Sequence, residues 1–349
     1  AAVEAEKFRP KTLHSALKAN PAANVAVISV SGRYAAREAW NALQHNLHVL
    51  LFSDNVSLED EVALKRYASK HGLLLMGPGA GTAIINGVAL GFANVIPAGP
   101  VGIVSAAGTG LQEVSTLLAR YGVGITQGIG TGGRDLKEEV GGTMMLAGLH
   151  ALQEDPATQV IVLVSKPPAP SVTQRILEQV YASAKPTVVC LLGGEFTSQT
   201  PHVLAAHTLE EAAWLAAGLV MGNQAKVTNP ANVSDPRSSE LRQHLKPFQR
   251  CLRGLYSGGT LCFEAQVIWE DAYQEKLLSI PVLSNAPLQK QRQMVDSNRS
   301  QQHCAVDLGE EEFTVGRLHP MIDNSLRIRR MLQEAQDPET AVILLDVVL

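Results

Sequence analysis

The chain has no segment long and apolar enough to cross a bilayer. Its longest hydrophobic runs, residues 160–164 and 187–192, have the length of strands, whereas a spanning helix needs roughly 20 such residues. It has no surplus of positive charge: 29 Lys and Arg stand against 33 Asp and Glu, for a net charge of −4, with no basic stripe. That balance argues against nucleic acid and anionic membrane as partners. Cysteine is scarce: Cys190, Cys251, Cys262 and Cys304 form no CxxC pair and have no histidine at metal-ligand spacing, so they read as reduced thiols and no metal site is expected. The first ten residues are charged and carry no apolar signal-peptide core, which makes the cytoplasm the expected location. Walker, HExxH and GxSxG motifs are missing, and no glycine turn has the GxGxxG spacing of a dinucleotide site.

What is present is a supersecondary unit written twice. Gly108-Thr109-Gly110-Leu111-Gln112-Glu113, then Gly133-Arg134, then Asp155-Pro156-Ala157-Thr158 and an apolar run form the first copy. Gly259-Thr260-Leu261-Cys262-Phe263-Glu264, then Gly316-Arg317, then Asp337-Pro338-Glu339-Thr340 and another apolar run form the second. Three landmarks in one order, too few times for a solenoid, predict two packed domains related by a pseudo-twofold axis.

The 29 glycines mark tight strand–helix turns, and continuous apolar strands alternating with helices predict parallel α/β layers. Strands are expected at 24–30, 47–52 and 71–76, with helices at 11–20, 34–46 and 57–70, the last opened by Ser57 and an acidic first turn. Strands at 101–105, 123–127, 160–164 and 187–192, with helices at 109–120, 136–153 and 171–183, have the spacing of a flavodoxin-like doubly wound sheet. The expected divisions are a first domain over 1–97, a second over 98–222, a polar linker over 223–247 and a third over 248–349. Residues 341–349 read as a buried parallel strand, which suggests a piece of a longer polypeptide.

A strand, a small-residue turn and a helix start leave backbone N–H groups unpaired and aimed one way, and the helix dipole adds positive potential there. Gly108, Thr109 and Gly110 form one such anion turn, and Gly258, Gly259 and Thr260 the other. The alternative for the first is a capping box of Thr109 and Gln112. Arg134, after the glycine loop Gly128-Ile129-Gly130-Thr131-Gly132-Gly133, and its repeat partner Arg317 are candidates to fork onto a substrate carboxylate. Glu113 and Glu264 read as acids complementing the helix dipole. The histidines, His319 among them, form no triad, and no catalytic base or nucleophile can be named.

These turns resemble the succinyl-CoA synthetase superfamily. Met76-Gly77-Pro78, Val101 to Ser105 with Gly108-Thr109, Gly128-Ile129-Gly130 and Asp155-Pro156 are similar to its α subunit, and Val306-Asp307-Leu308-Gly309 to the carboxyl domain of its β subunit. The resemblance implies an α/β fold: the remainder of a Rossmann-like CoA-binding domain, then two flavodoxin-like ligase domains related by duplication. It also implies that the two matching helices point their amino ends at one phosphate, and it makes CoA a possible ligand. The superfamily's phosphorylated histidine lies in a Gly-His-Ala-Gly motif, absent here, where Gly193-Gly194-Glu195-Phe196 follows the matching strand. The glycine loop that holds CoA would lie before Asn24, and no ATP-grasp segment is visible. Over its length the chain is most similar to the FdrA family. That resemblance implies one component of a carbamoyltransferase in allantoin degradation, a branch of purine catabolism, working with two other subunits. It would convert oxalurate and phosphate to oxamate and carbamoyl phosphate, with a small carboxylate and phosphate as substrates. An acyl-CoA synthetase with a different nucleophile and a non-catalytic anion-binding scaffold are the alternatives.

Overall fold

The computed structural model describes residues 10–194, 196–222 and 236–347, so Glu195 and most of the expected linker lie outside the described residues. Three sheets follow one another along the chain. The first is built from α1 (Leu13–Ala19), β1 (Val25–Ile28), α2 (Gly32–Gln44), β2 (His48–Leu51), α3 (Leu58–Lys70) and β3 (Leu75–Met76), with β1, β2 and β3 parallel in that order. Ser57 caps α3 by accepting the Asp60 N–H, and Glu59, Asp60 and Glu61 fill its first turn, as expected from the dipole. Ala35, Ala39 and Leu43 form the buried stripe of α2.

The middle sheet comprises β4 (Thr82–Ile85), β5 (Val88–Gly91), β6 (Ala98–Ser105), α4 (Gly108–Arg120), β7 (Ile125–Gly130), α5 (Thr143–Glu154), β8 (Val160–Ser165), α6 (Pro170–Tyr181), β9 (Thr187–Leu191), β10 (Val203–Ala206) and α7 (Leu209–Met221). Its order is β10-β9-β8-β6-β7-β4-β5. The five parallel strands thus follow the flavodoxin-like sequence with β6 first, and a ligand is expected where β6 and β8 diverge at their carboxyl ends. Alternation along β6 sends Val101 and Ile103 to the α4–α7 face and Val104 to the α5–α6 face, giving two cores. Residues 82–91 fall within the expected first domain, but they form the β4–β5 hairpin, whose β4 pairs antiparallel with β7 and extends the middle sheet. A boundary at residue 97 therefore cuts across that sheet.

The third unit has α8 (Pro236–Gln243), β11 (Cys251–Tyr256), α9 (Gly259–Gln274), β12 (Val282–Ser284), β13 (His303–Asp307), α10 (Glu311–Thr314), α11 (Ser325–Gln336) and β14 (Thr340–Leu345), in the order β12-β13-β11-β14. The duplication is visible in the sheets: β7-β6-β8 and β13-β11-β14 share one order, and the middle strand leads into the glycine-started helix each time. β14 is parallel to β11 as expected, and within the described residues Val342 and Leu344 on it are uncovered. The recurring Asp-Pro is a turn device. Asp155 and Asp337 each accept the N–H two residues on, and Asp155 and Asp337 carbonyls accept from Thr158 and Thr340.

Candidate functional site

Both glycine turns open onto one cleft of about 770 Å³, within the roughly 300–1,000 Å³ of ordinary small-molecule sites. Ala107 and Gly258 are the N-caps, and neither N-cap residue supplies a side-chain cap bond of its own. The capping-box alternative therefore fails: Thr109 lies inside its helix, and the Gln112 amide donates to Thr82 Oγ1 at 2.7 Å. Each copy consumes the two N–H groups before its helix internally. Ala106 donates to the Val164 carbonyl and Ala107 to Ser105 Oγ, whereas Ser257 and Gly258 donate to the Asp346 carboxylate at 2.7–3.0 Å. Asp346 is held in turn by Arg327 at 2.7 Å. The first-turn N–H groups of Gly108, Thr109 and Gly110, and of Gly259, Thr260 and Leu261, have no partner among the described residues.

The two helix starts touch reciprocally. A Cβ on Gly258 would lie 2.5 Å from Thr109 Cγ2, and one on Gly110 would lie 3.1 Å from Thr260 Cγ2. Each threonine thus fills space left by a glycine of the other helix start.

Three further groups reach the cleft that sequence reasoning did not single out. Lys166 follows β8 at the switch point, and its Nζ lies 5.6 Å from the Phe263 ring centroid and 3.2 Å from the Cβ position of Gly259. Asp307 ends β13, accepts the Gly309 N–H at 2.9 Å and is buried. Burial pushes its carboxyl up to about 6, against the pull of Lys166. His319 stands on the loop after α10, facing Asp54 of the first unit. The signal available for Lys166 was its place just beyond a parallel strand; nothing in the pattern around residue 319 distinguished its histidine.

Neither arginine lines the cleft. The Arg134 Nε pairs with Glu61 at 2.8 Å and its Nη2 donates to the Val56 carbonyl, so it braces the first unit against the glycine loop. Arg317 is exposed beyond the turn at Gly316. Glu113 and Glu264 also differ from expectation, since they lie past the first helical turn, where the dipole has faded.

Glu264 accepts the Leu209 N–H at the start of α7, joining the middle and third units at 2.7 Å. Burial, opposed by that hydrogen bond and reinforced by Glu113 and Glu210, raises its carboxyl to about 7. The stability it contributes is therefore complete below its ordinary value of 4.5 and lost as pH rises through about 7. Glu264→Gln keeps an oxygen for the Leu209 amide. It should flatten the stability profile between about pH 5 and 8 and add about 1–2 kcal/mol at the upper end. Urea unfolding across that range checks this; parallel profiles for parent and variant would refute it.

In comparisons with known proteins, the two family models match the middle and third units, and the CoA binding domain match falls on the middle unit rather than on residues 1–97. Residues 98–193 match the CoA binding domain model and residues 255–349 the CoA-ligase model. The chain is 46% identical to the uncharacterized protein YahF of Escherichia coli over 98% of its own length and 65% of YahF. It is 27% identical to the α subunit of the ADP-forming succinate–CoA ligase of Methanothermobacter thermautotrophicus and 30% to that of Staphylococcus epidermidis. Each match covers 41% of this chain and 48% of the relative. ATP citrate lyase from Methanothrix soehngenii, solved with citrate and coenzyme A, superposes with a TM-score of 0.51 at 18% identity, over 68% of this chain and 46% of that one. The fold is α/β, with one stretch that matches the CoA binding domain and another that matches the CoA-ligase domain. More narrowly, part of the chain is similar to succinate–CoA ligase α subunits, while the CoA-ligase match lies in the third unit. It spans about two thirds of YahF and about half the length of the ligase subunits. No described helix is long and apolar enough to cross a membrane.

Proposed function

We propose that the cleft binds phosphate between the two helix starts and makes or breaks the bond between that phosphate and an acyl group, as in an acid–thiol ligase. The observation that carries this reading is the contact of two helix amino ends, with first-turn N–H groups unpaired among the described residues, beside Lys166. Unpaired N–H groups from both sides, together with an ammonium, form a preorganised anion site. In the ligase direction, the CoA thiol attacks the carbonyl carbon of an acyl phosphate, the C–O bond to phosphate breaks, and the thiol proton leaves with the phosphate. CoA enters as a substrate whose nucleotide portion is not assigned to any segment: the glycine turn at the start of α2 is filled, because a Cβ on Gly32 would collide with the Asp54 carbonyl. The test is to incubate the protein with acetyl or succinyl phosphate and CoA and to follow thioester formation. Neither thioester nor phosphate–acyl exchange would end this reading.

A second reading, carbamoyl transfer from oxalurate to phosphate as in the FdrA family, is favoured by one observation. The Gly-His-Ala-Gly motif of a phosphohistidine ligase is absent after β9. Carbamoyl transfer needs the same phosphate site and neither phosphohistidine nor nucleotide. Oxalurate and phosphate, supplied with and without the two expected partner subunits, distinguish it through carbamoyl phosphate.

A further inference from the structure

His319 is held in one tautomer. Its Nδ1 accepts the backbone N–H of Met321 at 3.2 Å, so the neutral ring carries its proton on Nε2. The His319 carbonyl accepts from both Ile322 and Asp323, which fixes the turn that presents the ring. Nε2 points over Gly309, where an added Cβ would lie 2.8 Å from it and 3.1 Å from Asp307 Oδ1. Gly309 does not have a positive φ, so glycine serves there to admit the imidazole edge rather than to allow a special backbone. Half-burial lowers the proton affinity of the ring, opposed by Asp54 and Asp346, which favours the uncharged form.

We propose that His319 is a neutral hydrogen-bond donor of the site, giving its Nε2–H to the carbonyl oxygen of the acyl group whose phosphate lies between the two helix starts. This rests on the phosphate-centred function above. A ring locked in this way is not the phosphate acceptor that replaces the missing motif histidine, because its cleft-facing nitrogen has no free lone pair. It stabilises the negative charge that develops on oxygen when the carbonyl is attacked, and no proton changes hands.

Acetyl phosphate and inorganic phosphate are the probes. Long-range proton–nitrogen spectra of histidine-labelled protein, assigned with His319→Ala, should give the Nε2–H tautomer near neutral pH. Acetyl phosphate should shift that nitrogen, and inorganic phosphate should leave it unmoved. His319→Gln, whose amide can replace the donor, should hold acetyl phosphate within about threefold of the parent, whereas His319→Ala weakens it about tenfold. Phosphate affinity should be equal in all three. A proton on Nδ1, a charged ring at neutral pH, phosphorylation of Nε2, or equal acetyl phosphate affinity in parent and His319→Ala would each overturn the assignment. If the parent binds phosphate while the ring ignores acetyl phosphate, this inference alone fails. If the parent binds no phosphate, the proposed function fails with it.

Discussion

Replacing Lys65 by methionine is expected to destabilise the folded chain by about 3–5 kcal/mol. Lys65 is fully buried, and its ammonium lies 2.8 Å from Glu61, 2.8 Å from Asp135 and 3.0 Å from the Thr131 carbonyl. Asp135 also accepts the Met144 and Met145 N–H groups at the start of α5, where the left-handed Gly142 offers no cap, and Glu61 pairs with Arg134. With the lysine present, two carboxylates and two cations balance. Without it, two buried carboxylates face one remaining guanidinium, and neither has water to replace what was lost. Adding Glu61→Leu to the variant should recover part of the loss, because one uncompensated charge disappears. Denaturant unfolding of the three proteins is the measurement; a Lys65→Met variant within 1 kcal/mol of the parent would mean that the network is solvated. The network also ties α3 to the loop carrying Gly133, a wall of the cleft, so acyl-transfer activity should fall with stability.

That network explains what could and could not be read in the sequence. The turns at Gly108 and Gly259 were legible because strand, glycine and amphipathic helix are local patterns, and the superfamily resemblance implied that they face each other. The Asp-Pro landmark was equally visible, although its meaning is turn geometry. Arg134 was misread because its partner, Glu61, lies 73 residues earlier on another unit, and no periodicity reports a buried ion pair at that distance. The boundary at residue 97 misplaces residues 82–91 for a similar reason: they follow the first unit in sequence, but β7, which β4 pairs with, comes 40 residues later. His319 became meaningful only once its loop was folded back against Asp54.

Lys166→Met should reduce phosphate affinity by about 10–100-fold and acyl transfer by about 10²–10³-fold, while leaving the empty protein as stable as the parent or slightly more so. The opposite signs follow from where the ammonium lies. A positive charge at the amino end of a helix opposes the dipole, and Lys166 lies against the first residue of α9, close to the start of α4 as well. It forms no ion pair with another described residue; the buried Asp307 carboxyl, pushed up to about 6, offsets it only in part, and Asp346 at the α9 start is already paired with Arg327. Three positive elements thus converge on one spot at a cost to the unliganded fold, an arrangement that a bound dianion reverses. Removing the ammonium should therefore raise the unfolding midpoint in phosphate-free buffer by the equivalent of about 0.3–1 kcal/mol and shrink the further rise that phosphate gives the parent. A residue kept only for packing would show the reverse, a lower midpoint with an unchanged phosphate response. Thermal unfolding of parent and variant across a phosphate titration separates the two, and a variant with undiminished phosphate stabilisation would remove Lys166 from the site.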